Sequence, residues 1–382
     1  MLFTNATDSS VALTVVFLLL APLLALPWVE FTNITIYFVI LIPAGILRYI
    51  FHPALVTASS AVGVIDDEQV KNSDALSNVI FLSIVVPAYN EEDRLPVMLS
   101  ATVKYLERNR MEISKIVTED GLDPIKTSKN SSSAIFEIIV VDDGSSDNTR
   151  MVANEYAAKM VASGTCVVLR VVKLLRNSGK GAAVQAGMLR ANGMYILMAD
   201  ADNATDINDL STLLKTMMKQ NELEKKNLQI QKRSDLNGKM QKIKDLLPSV
   251  VIGSRAHLQN ASEVERTRTR IILMYAFHFF VSVLCSQRVK DTQCGFKLFN
   301  REAALIIFSN LHLRRWAFDI EIITIVEQLN IPLAEVSVNW KEVDGSKLDT
   351  SRFALALNSI GMLRDMLCVR LCYLLRIWKI KV

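Results

Sequence analysis

Apolar positions fall into distinct regimes along the chain. Val11 to Pro27 reads VALTVVFLLLAPLLALP, and a second apolar run extends from about Ile34 to Phe51 after a break at Trp28, Val29 and Glu30. Each run is close to the lower limit of about 17 residues for crossing a bilayer. One bent span and a tight two-helix hairpin both fit. No Lys or Arg precedes the first run, whereas a secretory signal would begin with a basic region. Arg48 is the first basic residue, at the far end of the second run, so the positive-inside rule puts the rest of the chain on the cytosolic side. Residues 1–52 are therefore expected to be a membrane anchor and 53–77 a linker.

From Asn78 onward, short β-branched runs alternate with helical stretches, the pattern of an α/β domain. Val79–Val86, Ile135–Val141, Val167–Lys173, Tyr195–Ala199 and Val250–Ile252 read as strands buried on both faces, hence largely parallel. They define a core over 78–300. Polar, turn-rich Ser114–Ser133 and the Gln- and Lys-rich stretch Lys219–Lys244 read as surface insertions, the second a solvated helix. Further on, Ile271–Cys285 is apolar but short for a span and follows Arg266, Arg268 and Arg270. The tail Phe353–Val382 interleaves apolar residues with Arg364, Arg370, Arg376 and Lys379. Basic residues beside apolar faces predict helices lying in the bilayer interface. Core helices packed on the sheet are the alternative.

Composition narrows the function classes. Hydrophobic residues make up 51% of the 382 and charged ones 21%, an apolar excess concentrated in the first fifty positions. A net charge of +4 gives no ground for a nucleic-acid partner. The five cysteines include no C-x-x-C, and no histidine follows one at zinc-ligand spacing. Their scatter fits a reducing compartment and removes Cys/His metal chemistry from consideration.

Four strand ends carry polar clusters, where an open parallel sheet binds its ligand. The first is Val85-Val86-Pro87-Ala88-Tyr89-Asn90-Glu91-Glu92, a strand stopped by proline with an aromatic and a carboxylate suited to a nucleoside. In the second, Val141 is followed by Asp142, Asp143 and Gly144, offering carboxylates to a base or to ribose hydroxyls. The third, Arg176-Asn177-Ser178-Gly179-Lys180-Gly181, places positive charge at a helix start and lets a ligand approach the backbone. It is neither a Walker loop nor a dinucleotide fingerprint. The fourth is Asp200-Ala201-Asp202, two carboxylates on one side of a β-type backbone. Such a pair is costly unless a cation or polar partner neutralises it, and a divalent metal carrying a nucleotide diphosphate is the candidate.

With these clusters go longer strings: Gly253-Ser254-Arg255-Ala256-His257-Leu258, Asp291 to Phe299, Arg315-Trp316-Ala317-Phe318-Asp319-Ile320-Glu321, Val338-Asn339-Trp340 and Gly345-Ser346-Lys347. From about Leu82 to the end, the chain resembles the inverting glycosyltransferases of family 2, with the GT-A fold. Within the family it looks most like members that glucosylate dolichyl phosphate. The resemblance implies a mostly parallel mixed sheet flanked by helices, with 301–382 forming an acceptor-side, membrane-associated region. It implies UDP-glucose and dolichyl phosphate as substrates, membrane lipid as surroundings, and an endoplasmic reticulum membrane with the catalytic domain facing the cytosol.

By the same resemblance, Pro87, Tyr89, Glu91, Asp142 and Asp143 would hold the nucleoside, with Arg176 and Lys180 on the donor phosphates. Asp200 and Asp202 would hold Mg²⁺ or Mn²⁺. Related mannosyl transferases supply a further glutamine ligand where this chain has Ala204, so water or another side chain would complete the shell. Arg255, Arg266, Arg268, Arg270 and Lys347 are expected to grip the acceptor phosphate. Asp319 and Glu321 read either as general bases or as groups that orient the donor sugar or pair with an arginine. Trp316 and Trp340 read as packing residues, with sugar stacking as the alternative, and Cys294 reads as a packed thiol. A processive synthase would carry glutamine where His312 stands before Arg315-Trp316.

Overall fold

β-Branched and aromatic residues with almost no exposed positions build the central strands. The computed structural model describes residues 64–66, 80–118, 136–234, 247–260, 288–343 and 352–382, all within the unit Ala58–Val382. The expected anchor, most of the linker, Ile271–Cys285, Arg266, Arg268, Arg270 and Lys347 lie outside the described residues, as do large parts of both predicted insertions. Among the described residues, no helix is long and apolar enough to cross a membrane.

Among the described residues, eight strands form one mixed sheet: β1 (Val64–Asp66), β2 (Leu82–Ala88), β3 (Phe136–Asp142), β4 (Val167–Leu174), β5 (Tyr195–Met198), β6 (Val250–Ser254), β7 (Lys297–Asn300) and β8 (Leu333–Ser337). Their spatial order is β1-β4-β3-β2-β5-β7-β6-β8. Strands β4, β3, β2 and β5 are mutually parallel, as their two-sided burial predicts. β7 runs antiparallel to both β5 and β6, and β1 antiparallel to β4. The chain builds β2, β3 and β4 outward in one direction, then returns to add β5 on the other side of β2. That reversal is a topological switch point, and the crevice beyond it is where such sheets take ligands.

All five predicted strands are present within a few residues. β7 and β8 escape the apolar pattern for physical reasons. β7 has four residues and begins with a fully buried lysine, while β8 is partly exposed throughout and contains Glu335.

Helices cover the sheet: α1 (Leu95–Arg108), α2 (Arg110–Thr118), α3 (Thr149–Ser163), α4 (Lys180–Met188), α5 (Leu210–Ser234), α6 (Arg301–Ser309), α7 (Phe318–Gln328) and α8 (Arg352–Leu374). Pro96 near the start of α1 suits a first turn, where its missing N–H costs nothing. One core joins Leu82, Ile84 and Tyr195 of the strands to Leu99, Leu213 and Met217 of α1 and α5. Tyr195 packs on Phe81 with ring centroids 5.4 Å apart. Each such fully buried side chain contributes on the order of 2 kcal/mol. Met366, Cys368, Val369, Cys372 and Tyr373 of α8 are buried, so the part of this helix beyond Asp365 packs on the protein with one face. Arg370 and Leu374 stay exposed on the other side.

Candidate active site

Asp143, just past the end of β3, is buried yet lies beside a turn rather than in the crevice. Its carboxylate accepts the backbone N–H groups of Ser178 at 2.7 Å and Gly179 at 2.8 Å. Burial pushes its pKa up to about 6, against the pull of those two bonds, with Asp142 adding to the rise. Asp143 was expected to face the nucleotide; with both oxygens on backbone donors, it fixes the turn that carries Lys180. Gly179 has φ +100°, and a Cβ there would lie 2.6 Å from the carbonyl oxygen of Arg314. The turn therefore requires glycine on both conformational and steric grounds.

Lys180 opens α4 and reaches across to the end of β5. Its Nζ lies 2.6 Å from Asp200 Oδ1, which is shielded from solvent. Burial opposes the ammonium charge, but Asp200, Asp319 and Asp202 outweigh it and leave the Lys180 pKa above its ordinary value. The same ammonium stands 5.6 Å from the Trp316 ring centroid. Trp316 is 48% exposed, so of the two readings packing gives way to an exposed aromatic face beside the cation.

The Asp200 carboxylate occupies the space a side chain at Gly295 would need, since a Cβ there would fall 2.0 Å from Oδ2. Asp202 is half-exposed, and its Oδ1 accepts the N–H of Ala204 at 3.0 Å. The segment beyond is tied to the Val338–Trp340 string: Thr205 bridges Trp340, and the Asn339 backbone and side chain both donate to Asp209. Among the described residues, no three His, Cys, Asp or Glu side chains cluster as metal ligands. A hard Mg²⁺-type cation needs only one or two carboxylates, with phosphate oxygens and water completing its shell. Asp202 together with Asp200 meets that requirement.

Behind Lys180 lies a second pair. Lys297 Nζ donates to Asp319 Oδ1, with both groups enclosed. Burial pushes the Asp319 carboxyl up, Lys297 and Lys180 oppose this, and the net direction is upward. The expected arginine partner is thus a lysine, from a strand the apolar pattern does not show. Glu321 is fully buried and accepts from four donors: His312 N at 3.0 Å, Leu313 N at 2.7 Å, Tyr373 Oη at 3.0 Å and, with the proton on the ring, His312 Nδ1 at 2.8 Å. That environment makes it a structural anchor, and a general-base role has no open oxygen to use. Cys294 is buried, and burial raises its thiol pKa to about 11, consistent with a packed thiol.

The remaining expected residues divide between the crevice and supporting contacts. Tyr89 is 37% exposed at the end of β2, and Arg176 is exposed on the turn before α4. Glu91 is clamped by Arg94 through two bonds of 2.6 and 2.5 Å. Asp142 Oδ1 accepts Ser145 N at 2.9 Å. Asn90, at φ +55°, joins the first two strand ends: its N–H donates to Ser145 Oγ, and its Oδ1 accepts Ser146 N. Arg255 forms a fork on Asp291 at 2.7 and 2.9 Å and lies 5.6 Å from the Trp340 ring centroid. Lys297, Arg94 and Asn90 were not singled out by sequence; the asparagine directly after P-A-Y, a residue that tolerates left-handed backbone, was the one available signal.

Strand-end carboxylates and a lysine at a helix start thus gather at the switch point of a mixed sheet, an arrangement suited to a phosphate-bearing ligand. Residues 83–224 match the family described as glycosyl transferase family 2. The chain is 42% identical over 313 residues to a dolichyl-phosphate beta-glucosyltransferase of Dictyostelium discoideum, covering 82% of this chain and 80% of that one. It is 40% identical over 300 residues to the Homo sapiens protein of that name (78% of each chain), and 36% over 327 residues to that of Saccharomyces cerevisiae (82% and 84%). The chain belongs to the dolichyl-phosphate beta-glucosyltransferases of glycosyl transferase family 2.

Proposed function

We infer that this protein is the enzyme that transfers glucose from UDP-glucose to dolichyl phosphate, giving dolichyl β-D-glucosyl phosphate and UDP. The observation that carries the reading is the kinship over about four-fifths of the chain, joined to the Lys180 ammonium that Asp200 holds at the switch point. An acceptor phosphate monoester has a second pKa near 6 and is mostly dianionic at neutral pH. It attacks the anomeric carbon without the strong general base a sugar hydroxyl needs. Asp319, committed to Lys297, accordingly orients the site.

The larger demand is charge on the departing diphosphate. Lys180 stands where that charge develops, and a fixed ammonium in a shielded crevice stabilises it more than water would. A divalent cation held by Asp200 and Asp202 would add Lewis-acid neutralisation of the same diphosphate. Tyr89, Asp142 and Arg176 line the donor side. Arg255, with Arg266, Arg268, Arg270 and Lys347, holds the acceptor phosphate against repulsion from the donor. Residues 1–52 anchor the protein in the endoplasmic reticulum membrane, with the catalytic unit on the cytosolic side meeting membrane lipid.

Incubating the purified full chain in detergent with radiolabelled UDP-glucose and dolichyl phosphate tests the reading. A labelled glycolipid whose sugar is β-linked to phosphate is the expected product. An α-linked product, or none under conditions where UDP binds, would refute it.

A further inference from the structure

The C-terminal segment folds back onto the loop that lies behind Lys180. Asn310 Nδ2 donates to Lys381 O at 2.8 Å, and Lys381 N donates to Asn310 Oδ1 at 2.7 Å. The buried Trp378 ring lies flat on His312, 4.1 Å between centroids and 4° between planes. Tyr373 Oη donates to Glu321 Oε1, while Glu321 Oε2 accepts the backbone N–H groups of His312 and Leu313. Burial and the neighbouring Glu321 charge push the Tyr373 hydroxyl above its ordinary pKa, so it remains a donor. Two contacts from the C-terminal segment thus reach residues 310–313 directly, and a third reaches them through Glu321.

The other side of this loop touches the site. The carbonyl of Arg314 accepts Ala182 N at 3.0 Å and fills the space beside Gly179. Trp316, two residues on, presents its ring to the Lys180 ammonium. The loop is therefore clamped between the C-terminal segment and the turn that carries Lys180. A fully buried carboxylate is expensive to keep, and here its four donors come from the two parts being joined.

We propose that Tyr373 and Glu321 are positioning residues through which the C-terminal segment Tyr373–Lys381 sets Lys180 against the departing diphosphate. The inference rests on the role given to Lys180 above. Loosening the clamp shifts the 310–316 loop and with it the Lys180 turn, leaving substrate binding surfaces on β2 and β3 in place.

The test is a double-mutant cycle on the full chain in detergent, with kcat and the KM for UDP-glucose measured separately. Tyr373→Phe is expected to lower kcat roughly two- to thirtyfold with little change in KM. In a Lys180→Met background the same substitution is expected to cost less than about twofold, because its route of action is gone. Trp378→Phe, which keeps a ring on His312, should retain activity that Trp378→Ala loses, and this pair serves if Tyr373→Phe does not fold. Equal kcat losses from Tyr373→Phe in both backgrounds would overturn the positioning role alone. Full activity of Lys180→Met would overturn the role of Lys180 and this inference with it.

Discussion

Lys180 Nζ sits 2.6 Å from Asp200 Oδ1, joining the start of α4 to the end of β5 across the switch point of the sheet. The two residues are brought together by a chain of supports. Asp143 holds the turn ahead of Lys180 by two backbone bonds, and Gly295 leaves the space that the Asp200 carboxylate fills. A cation is thereby installed beside the two carboxylates, in a place that desolvation alone would deny to charge.

Replacing Lys180 removes that cation. Lys180→Met is expected to lower kcat by roughly 10²- to 10³-fold, the usual cost of losing one preorganised group that stabilises developing negative charge. Steady-state kinetics with UDP-glucose check this, and Lys180→Arg, which keeps the charge, should recover part of the loss.

Gly295→Ala asks whether the Asp200 position matters. The added Cβ would fall 2.0 Å from Asp200 Oδ2, so the carboxylate must leave its present place. Activity should fall at least tenfold while the melting temperature moves by only a few degrees, as roughly 1–3 kcal/mol of overpacking implies. Unchanged kinetics would show that the carboxylate need not sit there.

Asp202→Asn is expected to abolish measurable transfer while leaving the melting temperature within a few degrees of wild type. Chelation of divalent cations should reduce wild-type activity in the same assay, and restoring Mg²⁺ or Mn²⁺ should recover it. Wild-type turnover by the variant would contradict the role given to this carboxylate.

The buried Lys297–Asp319 pair predicts a large asymmetry in stability. Lys297→Met leaves an enclosed carboxylate without its partner and is expected to cost about 3–5 kcal/mol, whereas the double change Lys297→Met with Asp319→Leu should restore most of that. Denaturant unfolding of the single and double variants measures both.

Asp143 supplies a pH dependence with a definite sign. Its folded-state pKa of about 6 lies above the unfolded value of 3.8, so the native state holds the proton more tightly. Its contribution is fully present below about pH 4 and is lost as pH rises through about 6, on the order of 3 kcal/mol in all. The melting temperature of wild type relative to Asp143→Asn should therefore decline between pH 4 and pH 7. A rise over that interval would reverse the assignment.

The parallel half of the sheet was legible in the sequence because its strands are β-branched runs that end in polar clusters. Asp142, Lys180 and Asp200 stand out for the same reason: each sits at or just beyond such an end. Partnerships across the fold were not. Asp143 reads as a ligand beside Asp142, yet its acceptors are filled by N–H groups 35 and 36 residues later. Lys297 breaks the apolar pattern that would have marked β7, and its charge makes sense only beside Asp319. Glu321 sits in the same string as Asp319 and differs from it entirely, because two residues, a little over half a turn of helix, direct it at Tyr373 instead of Lys297.

The central claim is tested most directly by a donor panel on the purified full chain in detergent. UDP-glucose, GDP-mannose and UDP-N-acetylglucosamine are offered in separate reactions with dolichyl phosphate, and the sugar of the glycolipid formed is identified after mild acid release by chromatography against standards. The predicted result is glucosyl phosphodolichol from UDP-glucose, and its loss in Lys180→Met. Transfer of mannose or N-acetylglucosamine in preference to glucose would contradict it.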